Sequence, residues 1–306
     1  MTLGFSFGRV IAAGAIVVLS GGVLLAVTEP PPDPTHFGLY EWMATAPIVV
    51  AANVLADDGK FVIAKTIAPV KGAKSASGTF EVDVREANRD RDEGVRALDV
   101  VKGKAYLFLL RPSSRGKKEP HPVFALERGV QGARELPAEG SQATVDAAVR
   151  LGAIQERRSD ELLWASLPDF LQDENPVLVD AALELYVKFH RESASLIPIV
   201  EPLLEHPRPD FRRRAAILLG RTIVRPGAEA LPERSEIIGA LIGRARRDDD
   251  AIVRREATIA LSALPDLGVE ETLRTIAADD PDQDVRLEAE KSLYARRQGA
   301  PAQRAN

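Results

Sequence analysis

Between residues 36 and 137, short runs of β-branched and aromatic residues alternate with polar positions, which is typical of strands. An Asp-Asp-Gly sequence at 57–59 separates two such runs and predicts a hairpin turn. Further strands are predicted at 78–86, 104–110 and 122–127. About five short strands in this length of chain predict a small β-barrel or sandwich.

From about residue 142 the spacing of the apolar positions changes to that of amphipathic helices. Proline, glycine, aspartate and asparagine separate the apolar stretches, as helix boundaries require. The predicted helices are 143–155, 159–171, 176–190, 194–205, 209–223, 232–246, 250–264, 268–278 and 282–297. A run of strands followed by a run of helices predicts a multidomain β + α chain.

Four of these helices share one frame of apolar residues. In each, a large apolar residue is followed after four positions by alanine and after eight by another large residue. The first residue of the frame is Leu178, Phe211, Val253 or Val285. Residues at these spacings form one stripe on a helix, and a central alanine lets a neighbouring helix approach closely. Because each of the four follows a more aliphatic helix, the sequence predicts repeated helix pairs, with a loop inserted at 224–232.

Three segments carry a resemblance to a known repeat. PDFRRRAAILLGRTI at 209–223, DAIVRREATIALSAL at 250–264 and DQDVRLEAEKSLYAR at 282–296 resemble the second helix of HEAT-like repeats. In the first of the four repeats, Val179 stands where the others have arginine. The resemblance covers the C-terminal half of the chain and implies an α-α superhelix, the HEAT-like solenoid. In such a stack, each helix pair leaves an apolar face that the next pair covers.

The β part carries a second resemblance. The stretches at 46–54, 70–72 and 106–110 resemble a strand, a turn and a later strand of barrel domains found in exported bacterial proteins and related to OB-fold and netrin-like barrels. Netrin-like relatives usually carry disulfides, which this chain cannot form because it has no cysteine. The resemblance implies a barrel and no particular activity.

An apolar stretch lies close to the N-terminus. Arg9 is followed by the uncharged, mostly apolar residues 10–28 and then by prolines and acids. A helix of this length matches the hydrocarbon thickness of a bilayer, and the small-residue cleavage sites of a signal peptide are poorly matched. We expect either a membrane anchor with the soluble domains outside the cytoplasm, or a cleaved signal peptide and a periplasmic or secreted protein. The predicted parts are a leader with a proline-rich linker at 1–34, a β-barrel-like domain at 35–138, a HEAT-like solenoid at 142–298 and a disordered tail at 299–306.

Composition excludes several classes of function. The net charge of −5 argues against a general nucleic-acid binder, which needs a positive face. The absence of cysteine excludes thiol catalysis and cysteine-ligated zinc. The four histidines are dispersed, and no hydrolase, P-loop or dinucleotide motif occurs, so we predict no catalytic residue, cofactor or metal. The stretch 88–99 resembles a calcium loop, but Glu93 replaces the required glycine and arginines offset the charge, which favours a solvated hairpin loop.

Arginine directly follows the first apolar residue of the frame in three of the four repeats. In one interpretation these arginines bridge neighbouring repeats, while polar residues three positions before the frame cap their helices. The expected caps are Asn175, Asp250 and Asp282. In the other interpretation, stacked arginines form a basic stripe that receives an acidic peptide, since arginine is a frequent interface anchor. The candidate partner-binding residues are Arg212, Arg213, Arg254, Arg255 and Arg286.

These features predict a non-catalytic protein–protein interaction scaffold exported to the cell envelope. Its partner would be an acidic peptide or an envelope protein, and its N-terminal helix would contact the membrane. Two alternatives stay open. Some HEAT-like solenoids resemble lyases that attach bilin pigments, and an aromatic-lined pocket with a buried acid would favour such an enzyme or enzyme accessory. Alternatively, the β part binds a ligand or an ion.

Overall fold

The computed structural model describes residues 38–72, 76–85, 87, 100–113 and 121–298. The candidate leader, the stretch 88–99 and the predicted tail lie outside the described residues. The described residues belong to one compact unit. Among them, no helix combines the length and the apolar content needed to cross a membrane.

Five strands close into a barrel. They are β1 (Ile48–Asp57), β2 (Phe61–Lys71), β3 (Thr79–Asp83), β4 (Ala105–Pro112) and β5 (Val123–Leu126), and a sixth strand, β6 (Ala133–Glu135), joins the same sheet. Pairing runs from β1 to β2, β3, β5 and β4, and β4 returns to β1; only β3 and β5 are parallel. The short β6 pairs with the part of β4 that β5 leaves open. The predicted small β-barrel is confirmed, and β6 is an addition that the sequence pattern did not indicate.

Strand β1 is buried on both of its faces, which explains why its sequence is a continuous apolar run. Val50 and Ala52 lie inside the barrel with Phe80 and other barrel residues. Val49 and Ala51 point the other way and share a second core with the helices. Because side chains alternate along a strand, one strand serves two cores. The barrel therefore packs directly on the helical part.

Ten α-helices follow or precede these strands in the described residues. They are α1 (Leu39–Ala44), α2 (Ser141–Arg157), α3 (Asp160–Leu171), α4 (Pro176–Lys188), α5 (Ile197–Val200), α6 (Pro209–Ile223), α7 (Arg234–Arg247), α8 (Ala251–Ser262), α9 (Leu267–Asp279) and α10 (Gln283–Arg297). Eight of the nine predicted helices are confirmed as single helices to within a few residues. The stretch 194–205 is instead a short α5 between two 3-10 turns, because Pro198 and Pro202 remove backbone donors.

The predicted apolar frame forms the core of the helical stack. Its alanines, one each on α4, α6, α8 and α10, are fully buried. On the same side, a Cβ atom added to Gly220 would lie only 2.4 Å from the Cβ of Ala260, so α6 and α8 are in close contact. The helices that precede them are further apart, and a groove of about 350 Å³ separates α7 from α9. The second helices α6 and α8 therefore lie closer together than the first helices α7 and α9.

Candidate functional site

Two of the predicted partner-binding arginines bridge consecutive repeats. The Arg212 guanidinium donates from Nε and Nη2 to the two carboxylate oxygens of Asp248, at 2.8 and 2.7 Å. The Arg254 guanidinium binds Asp280 in the same way, at 2.9 and 3.1 Å. Each aspartate lies five residues before the first core residue of the next repeat. The fork geometry of arginine suits such a two-point contact, so each pair fixes one repeat against the next.

The third donor group of each guanidinium binds within its own repeat. Arg212 Nη1 donates to the carbonyls of His206 and Pro207, both at 3.0 Å, and Arg254 Nη1 donates to the carbonyl of Asp248 at 2.9 Å. These carbonyls belong to the turn that joins the two helices of a pair. Each arginine therefore holds the turn of its own repeat and the acid of the next.

Burial removes these two arginines from the open surface. Arg212 is 6% and Arg254 is 8% exposed, because each guanidinium fills the gap between two repeats. Of the two interpretations of the arginine pattern, the bridging one describes their geometry. A partner that binds the surface of the repeats would have to contact the other candidate arginines.

The acids of the bridges also stabilise the turn that leads into the next helix. Asp248 and Asp280 accept from the backbone N–H two residues later, at 3.0 and 2.9 Å. Burial by itself would raise the pKa of the Asp248 carboxyl, but the hydrogen bonds from Arg212, the Asp250 amide and Arg244 lower the pKa below its ordinary value. Asp248 is therefore held in its ionised form.

The predicted helix caps are confirmed. Asn175 accepts from the Val177 N–H at 3.0 Å, and Asp250 accepts from the N–H groups of Ile252 and Val253 at 2.8 and 3.1 Å. Asp282 makes the equivalent pair of contacts at the start of α10. These contacts satisfy backbone donors that the first helical turn leaves open.

The repeat that lacks an arginine also lacks its acid. Val179 occupies the arginine position in α4, and the position that would supply its aspartate is His206. The His206 ring packs instead on Phe211, with ring centroids 4.5 Å apart. At the three junctions between these four repeats, arginine and aspartate are thus present together or absent together, as expected if they serve each other.

Arg286, the last candidate arginine of the frame, contacts the turn of its own repeat but, within the described residues, has no aspartate of a following repeat. Arg286 Nη1 donates to the carbonyls of Asp280 and Pro281, at 2.6 and 3.1 Å. No carboxylate of the described residues forms an ion pair with it. It is half-buried in the structure.

The two remaining candidates lie one position further along their helices, beside acids. Arg213 is half-buried and Arg255 is exposed. Burial raises the pKa of the Glu256 carboxyl, and the positive charges of Arg213 and Arg255 oppose this increase. In the preceding repeat, Arg214 pairs with Asp180 at 2.5 Å. The second helices therefore present a strip of mixed charge, in which acids lie beside the predicted arginines.

Sequence reasoning missed a pocket of about 580 Å³, which we call the aromatic pocket. Its main lining residues are Trp164, Tyr186, Phe189, Arg191, Glu192 and Arg225. The Trp164 ring centroid lies 5.9 Å from that of Tyr186 and 5.8 Å from that of Phe189. The residues come from α3, from the end of α4 and the segment that follows it, and from the segment after α6, so no local pattern connects them. The exposed Phe-His-Arg sequence at 189–191 was the only available signal.

The acid of the aromatic pocket is engaged in an ion pair. The Glu192 carboxylate accepts from Arg221 Nη1 at 3.3 Å, and its side chain is 5% exposed. Arg225 binds the backbone carbonyl of the same residue. Glu192 therefore holds the segment in place, and its carboxylate is poorly placed for proton transfer. Among the described residues, no group of three potential ligands is arranged to hold a metal ion.

The fold defines the chain as a small β-barrel followed by an α-solenoid of stacked helix pairs. Residues 197–294 match the family model of HEAT repeats, which confirms the HEAT-like resemblance for that segment. Comparison with curated proteins and with solved structures gave no match.

Proposed function

We propose that this protein is a non-catalytic interaction scaffold that binds a protein partner along the second helices of its HEAT-like repeats. The observation that carries the proposal is the division of labour between adjacent arginines. Arg212 and Arg254 build the stack, whereas the half-buried Arg213 and the exposed Arg255 recur at the next position of the same helices. The exposed guanidinium of Arg255 retains donors for a carboxylate of a partner, and arginine is a common anchor of interfaces.

The construction of the stack supports this role. The last three repeats are joined by two buried two-point ion pairs, so the exposed side chains of their second helices keep a constant spacing. A preformed surface of this kind avoids the entropy cost of ordering the binding groups on association. An acidic segment of a partner fits the arginines, and the acids of the strip, such as Glu256, would select its register.

We further propose that the scaffold works in the cell envelope. The support is the apolar stretch at 10–28, which lies outside the described residues, with Arg9 before it. Cell fractionation followed by N-terminal sequencing tests this point. Recovery in the envelope fraction with the leader present indicates an anchor, and recovery without the leader indicates a cleaved signal. Recovery in the cytoplasm would contradict the proposal.

The partner-binding proposal is tested by quantitative co-purification from envelope fractions. Arg213→Ala combined with Arg255→Ala should lower the recovery of bound protein about tenfold, as expected for the loss of an interface anchor. Arg246→Ala combined with Arg247→Ala is the matched control, because these exposed arginines lie at the end of α7, a first helix. Equal losses in both double variants would indicate a non-specific charge effect and would contradict the proposal.

The aromatic pocket favours a second candidate function, ligand binding of the lyase-like kind. An aromatic lining and a buried acid are both present. However, the Glu192 carboxylate is held by Arg221, so the pocket is better suited to binding than to acid–base chemistry. Glu192→Gln separates the two roles, because a catalytic acid would be needed for turnover while a positioning residue would affect thermal stability.

A further inference from the structure

We infer that the aromatic pocket binds a segment of the protein partner in which an aromatic side chain lies next to carboxylates. This inference rests on the proposed scaffold function and names the chemistry of the partner. Its basis is an accessible aromatic surface that lies beside two arginines, although the protein as a whole is acidic.

The base of the pocket provides apolar surface. Phe189 is 49% exposed, and its ring meets the Trp164 ring edge-on at an interplanar angle of 83°. Tyr186 closes the back of the cluster and is 5% exposed. An aromatic side chain that enters this space would bury the open surface of Phe189 and gain edge-to-face contacts. The volume of about 580 Å³ is within the usual range of small ligand sites.

The rim of the pocket provides positive charge. The Arg191 guanidinium carbon lies 5.0 Å from the centroid of the Trp164 ring, and Arg225 donates to the Glu192 carbonyl. Neither arginine forms an ion pair with a carboxylate in the described part of the chain. The Glu192 carboxylate forms its ion pair with Arg221, so it does not neutralise the charges of Arg191 and Arg225. A guanidinium has five donors, and each of these two retains donors for a ligand carboxylate.

The segment between α4 and α5 is held in place before any ligand binds. Arg221 Nη1 donates to the Val187 carbonyl at 2.7 Å as well as to Glu192. The Arg191 N–H donates to the Tyr186 carbonyl at 3.3 Å across His190, which has a positive φ of 50°. Such a preformed pocket is typical of binding sites. The geometry thus combines a ring-sized recess with carboxylate donors at its edge.

A labelled peptide tests the inference. The probe is fluorescein-labelled Asp-Glu-Phe-Glu-Asp, and its binding to the full chain is followed by fluorescence anisotropy. Replacing the phenylalanine by alanine, or the acids by their amides, should weaken binding about tenfold each, because one change removes the ring and the other removes the charge. Trp164 lies in the pocket, so binding should also change its fluorescence, while buried Trp42 is unaffected.

Variants of the protein locate the binding. Phe189→Ala and Arg191→Gln should each weaken binding of the acidic phenylalanine peptide at least fivefold. The control is Arg246→Gln, an exposed arginine outside the pocket, which should leave affinity unchanged. Thermal unfolding of each variant shows that a loss of binding is not a loss of fold. Unchanged affinity in both pocket variants would overturn the inference.

The remaining outcomes distinguish this inference from the proposed function. If Arg213→Ala with Arg255→Ala abolishes peptide binding while the pocket variants retain it, the scaffold proposal stands and the pocket inference fails. Undetectable peptide binding at millimolar concentration also overturns the inference. If free 3-phenylpropionate binds as tightly as the peptide, the site takes a small aromatic acid and the peptide assignment is wrong.

Discussion

The barrel and the helical stack keep their parts together by different means. The barrel closes through backbone hydrogen bonds around a ring of strands, and its inner core is apolar, with Phe80, Phe108 and Phe124 in edge-on contact. The stack has no such closure, because each repeat meets only its neighbours. Its repeats are joined by apolar stripes and by buried arginine–aspartate pairs. Buried charges therefore hold the helical stack together, whereas the inner core of the barrel contains apolar side chains.

This difference explains how one residue type has two roles at adjacent positions. Arg254 bridges two repeats, while Arg255, its neighbour in the chain, is exposed. Apolar stripes permit sliding of one repeat against the next, whereas a two-point ion pair has one favourable register. We interpret the buried pairs as register markers of the stack, a role for which buried polar groups are best attested.

The largest expected effect comes from breaking a bridge. Arg254→Ala leaves the Asp280 carboxylate buried and unpaired, and should lower the free energy of unfolding by about 3–5 kcal/mol. Arg255→Ala, at an exposed position, should change it by no more than about 0.5 kcal/mol. Urea denaturation of the two variants measures the difference. Similar small losses in both would mean that the bridges do not order the stack.

The next effect tests the close approach of the second helices. Gly220→Ala places a Cβ 2.4 Å from the Cβ of Ala260 and should cost about 1–3 kcal/mol through overpacking. Gly239→Ala is the matched control on α7, where no atom lies within 4 Å of an added Cβ. Because alanine is the better helix former, this control should stabilise the protein by about 0.5–1 kcal/mol. Thermal unfolding measures both variants. A lower unfolding temperature for Gly220→Ala and a higher one for Gly239→Ala would confirm the two helix spacings, and shifts in the same direction would contradict them.

A smaller effect is expected at the start of α8. Asp250→Ala removes the side chain that caps the N–H groups of Ile252 and Val253 and should cost about 1 kcal/mol. Glu290→Ala, an exposed change within α10, serves as the control and should be close to neutral. Chemical denaturation checks both. A cost for Asp250→Ala as large as that for Arg254→Ala would show that it also disturbs the nearby bridge.

The helical repeat could be predicted from the sequence because its signals are local. The apolar frame, the alanines and the caps recur at fixed spacings, and each belongs to a single helix. The bridge could also have been found, since an aspartate precedes the core residue by five positions at Asp248 and Asp280 and is missing where the arginine is missing. The pairing joins two different repeats, so the cap pattern of a single helix does not reveal it.

Long-range features were not predictable in the same way. The six-residue α1 is too short to give a periodic signal, and β6 has only three residues. The closure of the barrel depends on pairing between β1 and β4, which are separated by about fifty residues and have no matching local motif. The aromatic pocket depends on Trp164, Phe189 and Arg225, which come from three separate elements. Packing, rather than local pattern, brings these residues together.

The smallest expected effect concerns an acid of the mixed-charge strip and depends on pH. Burial raises the pKa of the Glu256 carboxyl above its ordinary value of 4.5. A group with a raised pKa in the folded state stabilises the fold fully below its ordinary pKa, and this contribution is lost as the pH rises through the folded value. Glu256→Gln keeps the shape without the charge. Its stability relative to the natural protein should therefore rise between pH 4 and pH 7.

Urea denaturation at several pH values measures this change, and Glu290→Gln on α10 is the exposed control that should show no trend. A partner carboxylate that binds Arg213 and Arg255 would compete with the Glu256 carboxylate for the same positive charges. The Gln variant should then bind an acidic partner at least as well as the natural protein. If it instead binds more weakly, Glu256 contacts the partner directly. The partner would then be bound by acids of the mixed-charge strip as well as by its arginines.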